Sequence, residues 1–436
     1  MKLKLFLLMI IPIALNSCSN ERTEPKMMNA IAESYVKLVL QIGQYNGDFI
    51  DAYYGPEEWK PDPSKKDTTE EFPYTRFNTE LNNLQILLSQ MDTSGFDEMN
   101  KLRFIYLKKQ MIAVKAKIEM INGKTFLFDE ESQNLYDAVA PTHPESYFEE
   151  LLKNLDKELP GKGTVSERLN TFKNKFIIPK EKLDTVFKTA IVEARKRTEN
   201  YIQLPDSESF KLEYVTNKAW SGYNWYKGKY QSVIQINTDL PIFIDRAIDL
   251  ACHEGYPGHH VYNVLLEGHM VNSRGWVEFS VYPLFCPQSL IAEGSANYGI
   301  DVAFPGKERV EYEKNNLFPL AGLKSDDAEK YYQIMDLTKG LSYAGNEAAR
   351  QYLEGKLSLL SAGQWLVKYA LMSPERAAQR MSFIEKYRSY VINYNLGQDL
   401  VKEYVERNGG SDENTKKRWE IFTHLLSTPQ VPSNLK

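Results

Sequence analysis

The stretch Leu240-Pro241-Ile242-Phe243-Ile244-Asp245-Arg246-Ala247-Ile248-Asp249-Leu250-Ala251-Cys252-His253-Glu254-Gly255-Tyr256-Pro257-Gly258-His259-His260 decides both the fold class and the site. Ile244, Ala247, Ile248, Ala251 and Cys252 fall at i, i+3, i+4, i+7 and i+8, which is one apolar face of an α-helix. Just upstream, Tyr230 to Asn237 is a short β-type run. The expected order is strand, turn at Leu240-Pro241, helix, then the histidine-rich segment. Leu290 to about Leu426 is again helical in pattern, as are Ile31 to Ile42, Phe77 to Met91, Asn100 to Ile121 and Pro179 to Gln203. The expected fold is mainly α: a large helical unit with a short β-sheet next to the site-bearing helix.

Three of the six histidines lie within the eight residues His253 to His260. Imidazole is the commonest zinc ligand, and a Glu beside the first His of a helical pair is the pattern of zinc hydrolases. In that pattern the His residues hold the metal and the Glu moves the proton of the attacking water. This chain departs from it. The position four residues after His253 is Pro257, which can neither donate to the His253 carbonyl nor avoid it. In an unbroken helix, residues seven apart are separated by about 10.5 Å of rise, too far for His253 and His260 to share an ion easily. A break or widening across Tyr256-Pro257-Gly258 is therefore expected. It would return His259 toward His253, with His260 as the alternative ligand or a supporting residue.

A third ligand is sought in Ile291-Ala292-Glu293-Gly294-Ser295-Ala296-Asn297-Tyr298. Small residues flank Glu293 and let two helices approach closely. Two His and one Glu, with a fourth position open, is a catalytic zinc set. Glu278 is the second choice.

At these residues the chain resembles the bacterial domain-of-unknown-function 885 family, which is grouped with gluzincin-type metallopeptidases. His253, Glu254, Pro257, Gly258, His259, His260, Glu293, Gly294 and Ala296 match as they stand, and the likeness covers roughly residues 200 to 400. Where that family usually has an aromatic after Glu-Gly, this chain has Ser295, which would re-shape the pocket. The family's Ser-Tyr-x-x-Gly stretch is met loosely by Gly340-Leu341-Ser342-Tyr343-Ala344-Gly345. The resemblance implies a mainly helical catalytic domain with a zinc peptidase-like centre of one ion; it does not itself supply a substrate, and a peptide or small amide is expected because amide hydrolysis suits this metal set.

Further candidates surround this core. Tyr343 is expected to donate to a developing oxyanion. Tyr387, Arg388, Tyr390 and Tyr394 are expected on one helix as substrate contacts, with Arg388 clamping a carboxylate. The strand Gln231 to Asn237, with Gln235, is expected to pair with an extended peptide as an edge strand does. Trp220 to Tyr226 is expected as a packed loop near the site.

The N-terminus sets the location. Lys2 and Lys4 precede an apolar run from Leu5 to Leu15, then Asn16-Ser17-Cys18. This is a lipoprotein signal layout with Cys18 as the lipidated residue, although Asn16 is unusual in it. The expected organisation is a signal peptide over 1–17, a tether over 18–28, a helical region over 29–204 and a catalytic region over 205–430. The expected location is exported and lipid-anchored to a bacterial membrane, the outer membrane facing periplasm or exterior. Cys252 and Cys286 remain, with Cys252 expected as a buried free thiol.

The 436 residues, 42% hydrophobic, suffice for a large core. A net charge of −5 argues against nucleic acid as a partner. The 27 tyrosines suit a solvated groove. Those tyrosines and the anchor also suit a lipoprotein that captures peptide or glycan without turning it over. A metal-binding pseudo-enzyme is a third reading.

Overall fold

Helices dominate because apolar residues recur at helical spacing along most of the chain, and the computed structural model is mainly α, with two small sheets among the described residues. It describes residues 24–62, 71–218 and 220–436. The signal peptide and Cys18 lie outside the described residues. No helix among the described residues is long and apolar enough to cross a membrane. The first helix, Glu24–Gly43, begins inside the expected tether. Met28, Ile31, Ala32, Tyr35, Val36 and Val39 give it a buried face, so residues 24–28 belong to the packed body rather than to a spacer.

Strand β1 (Ile50–Tyr53) pairs antiparallel with a strand 230 residues on, and a three-stranded sheet forms from β2 (Ser209–Val215), β3 (Gly222–Gly228) and β4 (Gln231–Asn237). The partner of β1 is β5 (Val281–Pro283). The sheet order is β2-β4-β3, with β2 parallel and β3 antiparallel to β4. Two sequence expectations change here. Most of the Trp220–Tyr226 run is strand β3, not a loop. And β4 is the central strand: both of its hydrogen-bonding edges are occupied, so it is not free to pair with a peptide.

Among the described residues, the helix Pro287–Ala303 packs extensively against Ile392–Arg407. Gly294 faces Gly397 across this contact, and a Cβ on Gly294 would sit 2.3 Å from the Gly397 carbonyl carbon. Backbone thus meets backbone, which only paired glycines permit. Cys252 and Cys286 are both buried free thiols.

Candidate metal centre

The chain approaches the site along Asp245–Leu250, an α-turn helix that widens into a π-helix over Ala251–Gly255. Two long hydrogen bonds define the widening. Tyr256 N–H donates to the Ala251 carbonyl (3.0 Å) and Gly258 N–H to the Cys252 carbonyl (2.9 Å). Pro257 donates nothing, as its chemistry requires, and a new helix starts at His259 and runs to Leu266. Gly258 is obligatory: an added Cβ would lie 2.0 Å from the His253 carbonyl oxygen. The extra residue in the turn brings His259, six positions on, back beside His253.

Three ligand atoms converge there. His253 Nε2 and His259 Nε2 are 3.2 Å apart. Glu293 Oε2 lies 3.3 Å from the first and 3.7 Å from the second. Neighbouring ligands of a tetrahedral zinc, with bonds near 2.0–2.2 Å, stand about 3.3–3.5 Å apart. The triangle therefore has the size a single ion needs.

Supporting contacts aim these atoms. Asn297 donates its amide to the Tyr394 carbonyl (2.9 Å), which turns its oxygen toward His253 Nδ1 at 2.9 Å. His253 thus carries its proton on Nδ1 and points the Nε2 lone pair inward, the arrangement metal-binding histidines use. Tyr390 donates to Glu293 Oε1 (2.8 Å), while Glu293 Oε2 is buried with no hydrogen-bond partner. A buried carboxylate oxygen without a donor is costly unless a cation faces it. Burial alone would raise the pKa of Glu293, yet the two imidazoles facing its Oε2, His253 and His259, hold it far below the carboxylate range. Burial likewise works against a charged His259, but Glu293, with Glu254 and Asp51 behind it, lifts its pKa to about 9. Glu254 is buried next to His253, and burial raises its pKa against the opposing pull of the two imidazoles.

His260 points elsewhere. It is wholly buried, with Nε2 2.7 Å from Glu208 Oε2 and Nδ1 2.8 Å from Ser232 Oγ. Tyr256 also donates to Glu208 (2.8 Å), so His260 ties the widened turn to the sheet. Glu278, the second-choice ligand, is consumed by Arg103 in a buried pair at 2.5 Å and cannot reach the cluster.

A cavity of about 420 Å³ opens onto the cluster, lined by Glu254, Tyr390 and Tyr394 among others. Five expectations are corrected around it. Tyr343 is not a lining residue; its hydroxyl donates to Asp399 (2.5 Å) and its ring meets His143. Arg388 is not a lining residue either. The helix Pro374–Tyr387 ends there, Arg388 takes φ 54°, and its guanidinium pairs with the buried Glu131 at 2.7 Å. Tyr387, Tyr390 and Tyr394 hence do not share one helix. Gln235 accepts from Trp225 Nε1 (3.0 Å) and donates to Glu213 (3.0 Å) within the sheet, away from the cavity. Ser295 is buried within its helix and does not line the cavity, so it does not re-shape the pocket by contact.

Sequence reasoning missed Asp51. Strand β1 carries it into the cavity wall, where it accepts from the Tyr223 hydroxyl. Burial raises its pKa to about 6, partly opposed by that hydrogen bond. Nothing in its local sequence marks it. It also missed Arg376, Gln379, Arg380 and Phe383, which with Tyr387 form the cavity face of one helix. Their i, i+3, i+4, i+7, i+11 spacing was a readable signal.

No family model and no curated protein matches the chain. Among solved structures it is similar to a chain from Colwellia psychrerythraea that carries a provisional lipoprotein designation. The TM-score is 0.50 at 14% identity, over 82% of this chain and 65% of that one. This chain thus spans just under two thirds of that structure's length, and the likeness is one of fold. It is also similar to BsuCP, with a TM-score of 0.48 at 11% identity, over 94% of this chain and 91% of that one.

Proposed function

We propose that this chain is a zinc-dependent hydrolase acting on short peptides or related amides. The observation that carries the reading is the triangle of His253, His259 and Glu293 ligand atoms, 3.2 to 3.7 Å on a side, with Glu293 Oε2 buried and lacking a donor. The three side chains would hold the ion. When bound, a zinc ion would supply Lewis acidity, lowering the pKa of a water and polarising a carbonyl.

The protein's own groups do the rest. Glu254 takes the proton of the attacking water and returns it to the leaving amine. Tyr394 takes the part expected of Tyr343. It lines the cavity, and among the described residues its hydroxyl has no hydrogen-bond partner, which leaves it free to donate to an oxyanion. Asn297 and Tyr390 position His253 and Glu293. The zinc peptidase-like centre implied by the resemblance to the domain-of-unknown-function 885 family supports peptide amides as the substrate class, and the lipobox ending in Cys18 supports an exported protein anchored by lipid to a bacterial outer membrane.

Turnover of a peptide library with and without chelator tests the reading. Activity should depend on zinc, fall by at least about a hundredfold in Glu254→Gln, and fall in Tyr394→Phe with zinc content unchanged. Zinc binding without any turnover would mark a pseudo-enzyme or a capture protein. Loss of membrane association in Cys18→Ser checks the anchor.

A further inference from the structure

Three arginines face the cavity, and they differ in what they are bonded to. Arg246 is paired with Asp249 at 3.1 Å. Arg376 donates to the Pro241 carbonyl (3.0 Å) and stacks over Phe243, with no carboxylate partner among the described residues. Arg380 has neither an ion pair nor a hydrogen bond among the described residues. Its guanidinium lies over the Phe383 ring at 4.9 Å and near the Tyr394 ring at 5.7 Å. Arg376 and Arg380 stand four residues apart on one face of the helix that Ser373 caps, so their like charges are neighbours.

Two adjacent guanidiniums without an acid are an unfavourable arrangement in a partly enclosed cavity, and an anion between or upon them removes the cost. Burial lowers the pKa of Arg380, and only Tyr394 and Glu293 act in the other direction. Glu293 is turned to the histidines, so its charge does not serve as the partner. Arg380 is thus close enough to the metal centre to feel its carboxylate, yet its planar fork of donors is unoccupied.

We propose that Arg380, with Arg376 one turn away, binds a carboxylate of the substrate beside the His253–His259–Glu293 cluster. This rests on the hydrolase reading for the nature of the substrate and deepens it. Two sources of that carboxylate share the chemistry: the C-terminus of a peptide, which would make the protein act from that end, and an Asp or Glu side chain near the scissile bond. The clamp assigned from sequence to Arg388 thereby moves two helical turns back, to the residue whose fork is open.

The test is equilibrium binding by calorimetry to the zinc-loaded full chain carrying Glu254→Gln, so that no probe is consumed. The probes are N-acetyl-trialanine acid, its C-terminal amide, and that amide with glutamate as the central residue. One carboxylate-bearing probe should bind at least about tenfold tighter than the neutral amide. Preference for the trialanine acid assigns the C-terminus; preference for the glutamate amide assigns the side chain. Arg380→Gln should abolish the preference and Arg380→Lys should restore part of it, with zinc content unchanged. Equal binding of all three probes to the Arg380-containing chain overturns the proposal, even if Arg380→Gln fails to fold. So does a preference that survives Arg380→Gln. Because the readout is binding, a failure of turnover in the parent chain would count against the hydrolase reading and leave this one standing.

Discussion

Gly294 and Gly397 touch backbone to backbone, so closely that a Cβ on Gly294 would lie 2.3 Å from the Gly397 carbonyl. Glu293 is the next residue, and the contact fixes the helix that presents it. Gly294→Ala should destabilise the fold by about 1–3 kcal/mol or more, as overpacking does, and weaken zinc binding as Glu293 shifts. Gly268→Ala, whose Cβ would meet nothing nearer than 3.7 Å, is the control and should keep its zinc. Thermal melts and metal content on both variants check this.

Asn297 is the residue that decides which nitrogen of His253 faces the ion. Asn297→Leu removes the Nδ1 partner and should cost about 10- to 100-fold in zinc affinity with the fold retained. Competition against a zinc-binding dye measures it. An affinity equal to that of the parent chain would show that the hydrogen bond at 2.9 Å has no part in aiming the imidazole.

Adjacent histidines should respond in opposite ways. His259→Ala should abolish zinc binding and cost the metal-free fold only the stability that its protonated imidazole draws from Glu293. His260→Ala removes one of three partners of the buried Glu208, which keeps Tyr256 and Arg195, and should cost about 1–3 kcal/mol, while the metal triangle itself keeps its three ligand atoms. Urea unfolding and metal content distinguish the two. Zinc lost only in His260→Ala would reverse the assignment.

The metal-free protein should hold a proton on His259 at neutral pH. Burial works against that proton, but Glu293 lifts the pKa to about 9. Zinc must displace it, so affinity should rise by up to about tenfold per pH unit and level off near pH 9. The sign for stability follows from the same shift. The folded pKa exceeds the unfolded value near 6.5, so this contribution is full below about pH 6.5 and is lost as pH rises through about 9. Calorimetry in buffers of different ionisation enthalpy should report about one proton released per zinc at pH 7. No proton release would contradict it.

What was legible in the sequence was local. Pro257 and Gly258 dictate a widened turn from their own chemistry, and the π-helix Ala251–Gly255 follows. The small residues around Glu293 announce a close helix contact, which Gly294 and Gly397 supply. What was illegible depended on distant partners. Arg388 looked available because Glu131, 257 residues away, is invisible to local pattern. Tyr343 was equally claimed by Asp399, and Gln235 by Trp225 and Glu213. Asp51 enters the cavity only because β1 pairs with β5, a long-range contact no periodicity encodes.

The central claim is that His253, His259 and Glu293 share one ion. The most direct measurement is the zinc content of the purified chain by elemental analysis, paired with native mass spectrometry. One zinc per chain is expected in the parent protein and none in His253→Ala, His259→Ala or Glu293→Ala, each still folded by circular dichroism. A folded parent chain that takes up no zinc, or one whose zinc persists in all three variants, would contradict it.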